Sequence, residues 1–245
     1  MLETIGLHGA FLLGAALHAI GIILILSLKY TPASVNKEAL HKNFFAGIID
    51  GLRFIRSDRT IMAMMVITVA LNFLAMPFAS MIPVIGKELL NLNAIHIGIL
   101  ASAEGLGAFI GCVLIAFWKT QRFAQVFIFG SAIYLLFLLS FSFSGLYILS
   151  LILLFLAGLG HAGFSVGQST LVFTKSTPEV RGRVMGLLSM FIGVQPLGIL
   201  HIGFLADHFG GSLAVTIMTV EGLIALGICW MVWPEMQRHE KQSAS

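Results

Sequence analysis

The chain has 245 residues, 58% of them hydrophobic and only 10% charged, with a formal net charge of +3. A soluble domain covers itself with roughly a quarter charged residues, so a water-facing shell is excluded and lipid is the solvent for most of this surface. In such a chain a basic excess reports membrane orientation and not a nucleic-acid partner. Cys112 and Cys229 both fall inside apolar runs and read as small buried hydrophobes, not as disulfide or metal ligands.

A helix rising about 1.5 Å per residue needs roughly 20 apolar residues to cross a bilayer core of about 30 Å. That ruler predicts an all-α membrane protein with seven transmembrane helices, over 8–28, 61–82, 96–118, 124–143, 147–173, 184–205 and 213–233. The first run lacks a basic flank and is long enough to stay as an anchor, unlike a cleaved signal peptide. After it, Phe44, Ile48, Leu52 and Ile55 recur at three- and four-residue steps, with Lys42, Asp50, Arg53 and Arg56 mainly off the stripe. This predicts an amphipathic helix over 42–56, lying on the cytoplasmic membrane surface or binding a partner. Only Ser144, Gly145 and Leu146 separate the fourth and fifth spans, which fixes them as antiparallel neighbours.

Thirteen of the fourteen basic residues fall on one side of these spans, leaving Lys87 alone on the other. By the positive-inside tendency the crowded side, with the carboxy terminus, is cytoplasmic. The amino terminus then begins outside, which hints at upstream sequence.

Ionisable groups at depth are informative, because a charge at the bilayer centre costs about 2.5–3.5 kcal/mol even on forgiving scales. Glu104 lies roughly 12 Å into the third span by helical rise. It shares a face with Ala101, Ala108 and Gly111, so it is expected to point toward another helix. It reads as a proton-coupling or cation-recognition group, or as a protonated acid bonded to a neighbouring helix. His161, Ser165 and Gln168 follow i, i+4, i+7 on one face of the fifth span, which suits a wetted path or plain interhelical bonding. Asn72, near Pro77, is a further cavity candidate, and Glu221 has no evident partner. Glycines cluster at Gly105, Gly107 and Gly111 and at Gly158, Gly160, Gly163 and Gly167, where small residues let membrane helices approach closely. No His-Glu-x-x-His pair or Gly-x-Ser-x-Gly elbow occurs, and the eight histidines lack metal-ligand spacing. No enzyme, metal or cofactor is therefore expected.

The stretch Thr177-Pro-Glu-Val-Arg-Gly-Arg-Val-Met-Gly-Leu187 opens the sixth span from a cytoplasmic loop. It resembles the signature between transmembrane helices ten and eleven of the major facilitator superfamily. Gly193-Val-Gln-Pro-Leu-Gly198 and Gly203-Phe-Leu-Ala-Asp207 are similar to that family's eleventh helix and its exit. The branch resembled is the transmembrane secretion effector group, with its enterobactin- and macrolide-exporter-like members. The loop Trp118-Lys-Thr-Gln-Arg-Phe123 departs from the family by lacking its Gly-Asp-Arg-Gly pattern.

The resemblance implies a carboxy-terminal half. Residues 1–30 correspond to helix six, 31–59 to a cytoplasmic linker, 60–233 to the six-helix half and 234–245 to a cytoplasmic tail. It implies a multi-pass protein of the cell (inner) membrane that exports amphipathic small molecules such as siderophores or drugs, in exchange for protons. Glu104, His161, Ser165, Gln168 and Asn72 would line the cavity. Glu179, Arg181, Gly182, Arg183, Pro196 and Gly198 would form the gating motif and hinge. Glu179 suits the positive end of a helix dipole, and Pro196 removes one backbone donor within a span. The alternative is a non-transporting fragment or assembly subunit, completed by a separate amino-terminal half or by a second copy.

Overall fold

The computed structural model describes residues 2–27, 44–118, 120 and 122–236, and among these every extended regular element is helical. The chain divides into two bodies, Met1–Phe44 and Phe45–Ser245. The first contains α1 (Leu2–Ser27), whose apolar stretch is Gly14–Ser27.

In the second body six helices among the described residues are long and apolar enough to cross a membrane. They are Arg59–Glu88, Ala94–Phe117, Phe123–Ser142, Tyr147–Lys175, Pro178–Phe209 and Gly211–Val232. These coincide with the second to seventh predicted spans, so the count that meets this standard is six, and α1 is the additional helix of the sequence-based seven. Polar caps carry the first two of these helices back beyond their predicted starts. The Asp58 carboxylate accepts from the Thr60 and Ile61 amides at 2.8 and 3.0 Å, and the Asn93 side chain accepts from the His96 amide at 3.0 Å. Linker residues 31–43 and tail residues 237–245 lie outside the described residues, as do Lys119 and Gln121.

Two of the six spans are broken. The first is α3 (Arg59–Leu74), a 3-10 turn at Met76–Met81 containing Pro77, and α4 (Ile82–Glu88). The fifth is α8 (Pro178–Ile192) followed by α9 (Gln195–Phe209). The helix break falls before the predicted hinge residue Pro196, since Gly193 ends α8 and Pro196 stands exposed in the first turn of α9. A first-turn proline lacks a donor that would be unpaired anyway, so Pro196 starts a helix and breaks none.

The unbroken helices are α5 (Ala94–Phe117), α6 (Phe123–Ser142), α7 (Tyr147–Lys175) and α10 (Gly211–Val232). Helix α7 packs on two neighbours through two glycine faces. A Cβ on Gly158 would strike the Glu104 carbonyl of α5, and one on Gly107 of α5 would strike the Phe155 carbonyl of α7. On the other side Gly130 of α6 meets the Gly163 Cα, and Gly160 meets the Tyr134 backbone. The glycine clusters are thus backbone contacts between helices, as the sequence predicts. Tyr134, Phe127 and Phe141 fill the fully buried interior, together with Met64, Met65 and Leu71.

Helix α2 (Phe44–Ser57), expected on the membrane surface or against a partner, packs on this chain's own core. Ile55 is buried, and Ile48 and Leu52 pack on the same core, so the apolar stripe faces protein. Gly51 permits this seat, because a Cβ there would meet the Leu187 side chain at 2.8 Å. The Asp50 carboxylate then accepts from Arg183 of α8 at 3.0 Å.

Candidate functional site

Glu104 stands ten residues inside α5 and His161 at the centre of the 29-residue α7. By helical rise each lies about 15–20 Å from its helix ends, near the middle of a crossing. The close approach of α5 and α7 at Gly158 brings the two side chains together. His161 Nδ1 and Glu104 Oε1 are 2.7 Å apart, and the side chains keep 27% and 18% of their exposure. The pair is therefore neither sealed in the core nor open to bulk solvent.

The Tyr134 ring of α6 lies 5.2 Å from the imidazole, and Phe164 lies 6.4 Å away. Tyr134 also directs its hydroxyl to Met76 Sδ at 3.7 Å, in the broken part of the first span. His161 therefore joins α5, α6 and α7. A carboxylate and an imidazole at hydrogen-bond distance can share or pass a proton.

The other predicted residues do not gather at this pair. Gln168 is buried, and its Oε1 accepts from the Thr68 hydroxyl of α3 at 3.1 Å. Asn72, also buried, donates to the Thr68 carbonyl at 2.8 Å. Ser165 lies between His161 and Gln168 on α7, half-buried, and its carbonyl accepts from Ser169 at 3.2 Å. The predicted stripe His161, Ser165 and Gln168 does share a face, but its two ends contact different helices, α5 and α3.

Sequence reasoning missed Thr68 and Tyr134. Thr68 had a signal, since it stands four residues before Asn72 in an otherwise apolar run; Tyr134 had only its polarity within α6. Glu221 does have a partner. Its carboxylate lies 3.2 Å from His201 Nε2 of α9, and Phe73 stacks on that imidazole at 5.5 Å.

At the other end of α8, Glu179 occupies the first turn. Arg181 donates to the Ser176 carbonyl at 3.0 Å, with its guanidinium 5.7 Å from the Phe173 ring. Arg183 holds Asp50, so the signature segment ties α2 to α8. Gly182 has open space where a Cβ would stand, whereas a Cβ at Gly198 would strike the Phe73 carbonyl and approach Pro77 at 2.6 Å. Of the two predicted motif and hinge glycines, Gly198 is thus the one whose backbone lies against another span.

A sequence model described as the Major Facilitator Superfamily matches the chain in two overlapping stretches, 1–194 and 96–245. Macrolide efflux protein A of Streptococcus pyogenes is 22% identical over 204 residues, covering 81% of this chain and 49% of that protein. The uncharacterized MFS-type transporter YvqJ of Bacillus subtilis is 21% identical over 238 residues, covering 94% and 56%. Macrolide efflux protein A of Enterococcus faecalis is 23% identical over 193 residues, covering 76% and 58%. The chain spans about half the length of the curated relatives it matches. No solved structure matches it.

Proposed function

The chain belongs to the major facilitator superfamily, and from that premise we propose that it forms the carboxy-terminal half of a proton-coupled exporter of amphipathic small molecules. In this reading α1 is an additional span corresponding to helix six, and the six membrane-length helices correspond to helices seven to twelve. The observation that carries the proposal is the Glu104–His161 pair, 2.7 Å apart and midway along two unbroken helices. Ionisable groups at that depth are costly to bury and so mark functional sites, and an exporter driven by proton exchange needs one reversible proton site near the midplane. Glu104 carries the coupling proton, and His161 receives or steadies it.

Macrolides are the first substrate class to test, because two of the relatives carry macrolide efflux in their names. Siderophores, which are also amphipathic, come second. Alternating access needs two halves moving about one site. The second half is an amino-terminal half or another copy of this chain, and without either the chain is a non-transporting assembly subunit.

The test is efflux of a fluorescent amphipathic dye, with a macrolide as competitor, from energised vesicles holding the chain alone or with an amino-terminal half of a relative. Glu104→Gln is expected to abolish gradient-driven efflux while membrane insertion stays intact. Wild-type rates in that variant would sink the assignment of the coupling proton. Absence of transport under every pairing leaves the assembly-subunit reading.

A further inference from the structure

Because α5 and α6 both pack on α7 through glycines, they splay apart, and a groove of about 1070 Å3 opens between them. That volume stands just above the roughly 300–1,000 Å3 typical of small-molecule sites. Leu156, Leu159, Gly160 and Gly163 of α7 form its floor, and Leu114 of α5 and Ile133 of α6 stand in its walls. Neither Glu104 nor His161 lines it, so it is separate from the proton site.

Polarity in this groove is confined to one end. Along α6 the lining runs from Arg122 to Phe137, about 22 Å by helical rise and more than half of a core of about 30 Å. Thr120, Arg122 and Gln125 stand at its mouth beside Trp118, and the rest of the lining is almost wholly apolar. Trp118 is 69% exposed, as suits an aromatic at the headgroup level. Arg122 stands just before the first turn of α6, is exposed, and pairs with no acidic side chain among the described residues. Its loop lies on the side that the charge distribution makes cytoplasmic, where the leaflet carries anionic lipids.

We infer that this groove is a binding site for an anionic phospholipid of the cytoplasmic leaflet. Arg122 holds the headgroup phosphate, and the acyl chains lie on the α7 floor between α5 and α6. The shape matches that ligand, with a cation and donors at headgroup depth and an apolar trough long enough for the chains of one leaflet. The site depends on the membrane location of the chain and not on transport, so its failure and that of the proposed function are separable.

Trp118 supplies the readout. The chain has three tryptophans, Trp118, Trp230 and Trp233, so W230F/W233F leaves Trp118 as sole reporter. The full chain is reconstituted in phosphatidylcholine vesicles containing brominated phosphatidylglycerol or brominated phosphatidylcholine, and quenching of Trp118 is titrated. Brominated phosphatidylglycerol is expected to bind about fivefold more tightly, the worth of one arginine at an anionic headgroup. Arg122→Gln is expected to bring the two lipids to parity, and Ile133→Phe, which fills the trough, to lower quenching by both. Equal quenching by the two lipids in the otherwise native chain, or an unchanged preference in Arg122→Gln, would overturn the assignment. So would displacement of both lipids by an added macrolide, which would make the groove a substrate path.

Discussion

Replacing Gly158 by alanine puts one methyl group into the contact between α5 and α7. A Cβ there would collide with the Glu104 carbonyl, lie 2.7 Å from the Ala108 nitrogen and 3.0 Å from the Glu104 carbonyl carbon. All three atoms are backbone, so no side chain can turn aside and the helices must separate. Overpacking of this kind costs about 1–3 kcal/mol. At about 2–4 °C per kcal/mol for a chain of this size, the melting temperature falls by about 2–12 °C. Gly105→Ala is the matched control, because nothing lies within 4 Å of a Cβ at that position. It is expected to be neutral or to stabilise by up to about 1 kcal/mol, since alanine is the better helix former. Unfolding of the detergent-solubilised chain can be followed with a thiol-reactive dye, using the half-buried Cys112 and the buried Cys229. Equal melting temperatures for the two variants would refute the claim that α5 and α7 meet backbone to backbone at the Glu104–His161 pair.

The same assay tests three other contacts. Asp50→Asn and Arg183→Gln break a bridge of 3.0 Å whose side chains are only about a quarter exposed, so a double-mutant cycle should give a coupling of up to about 1 kcal/mol. Strict additivity would mean that α2 is seated by its apolar stripe alone. Pro196→Ala should change stability by less than about 1 kcal/mol, because the proline sits in a first turn, whereas Gly198→Ala should cost about 1–3 kcal/mol by striking Phe73. Glu221→Gln retains an oxygen for His201 at their 3.2 Å contact and His201→Leu removes the imidazole, so the second variant should lose more stability than the first; the reverse order would mean that the contact is incidental.

Hydropathy made the crossing helices legible, because a lipid solvent leaves only one economical way to satisfy the backbone across the core. The glycine clusters were legible for the same reason, since a run of small residues in an apolar helix has few uses besides close packing. Partners were not legible. Glu104 and His161 each stood out as polar residues at depth, yet their 2.7 Å contact depends on how α5 and α7 are rotated, and 56 residues separate them in the chain. The same holds for Glu221 and His201, which lie on different helices. The fate of the α2 stripe was also hidden, because an amphipathic face looks alike whether it covers lipid or protein. What decides it is Gly51 against Leu187, a contact that no periodicity encodes.

The broken and unbroken helices divide the second body by mechanical character. The two breaks face each other, because Gly198 in α9 rests on Phe73 and Pro77 where the first span gives way to its 3-10 turn. Backbone hydrogen bonds are interrupted there, so bending concentrates at that contact. The Glu104–His161 pair sits instead on α5 and α7, which run unbroken and touch through glycine faces, through that pair and through the His96–Tyr147 ring contact. A change in protonation at Glu104 would therefore act first on the relative position of two stiff rods. It would reach the bending region through Tyr134, which lies against His161 and bonds to Met76 within the break. In the proposed exporter, that aromatic residue is the physical connection between the proton site and the part of the half that can bend.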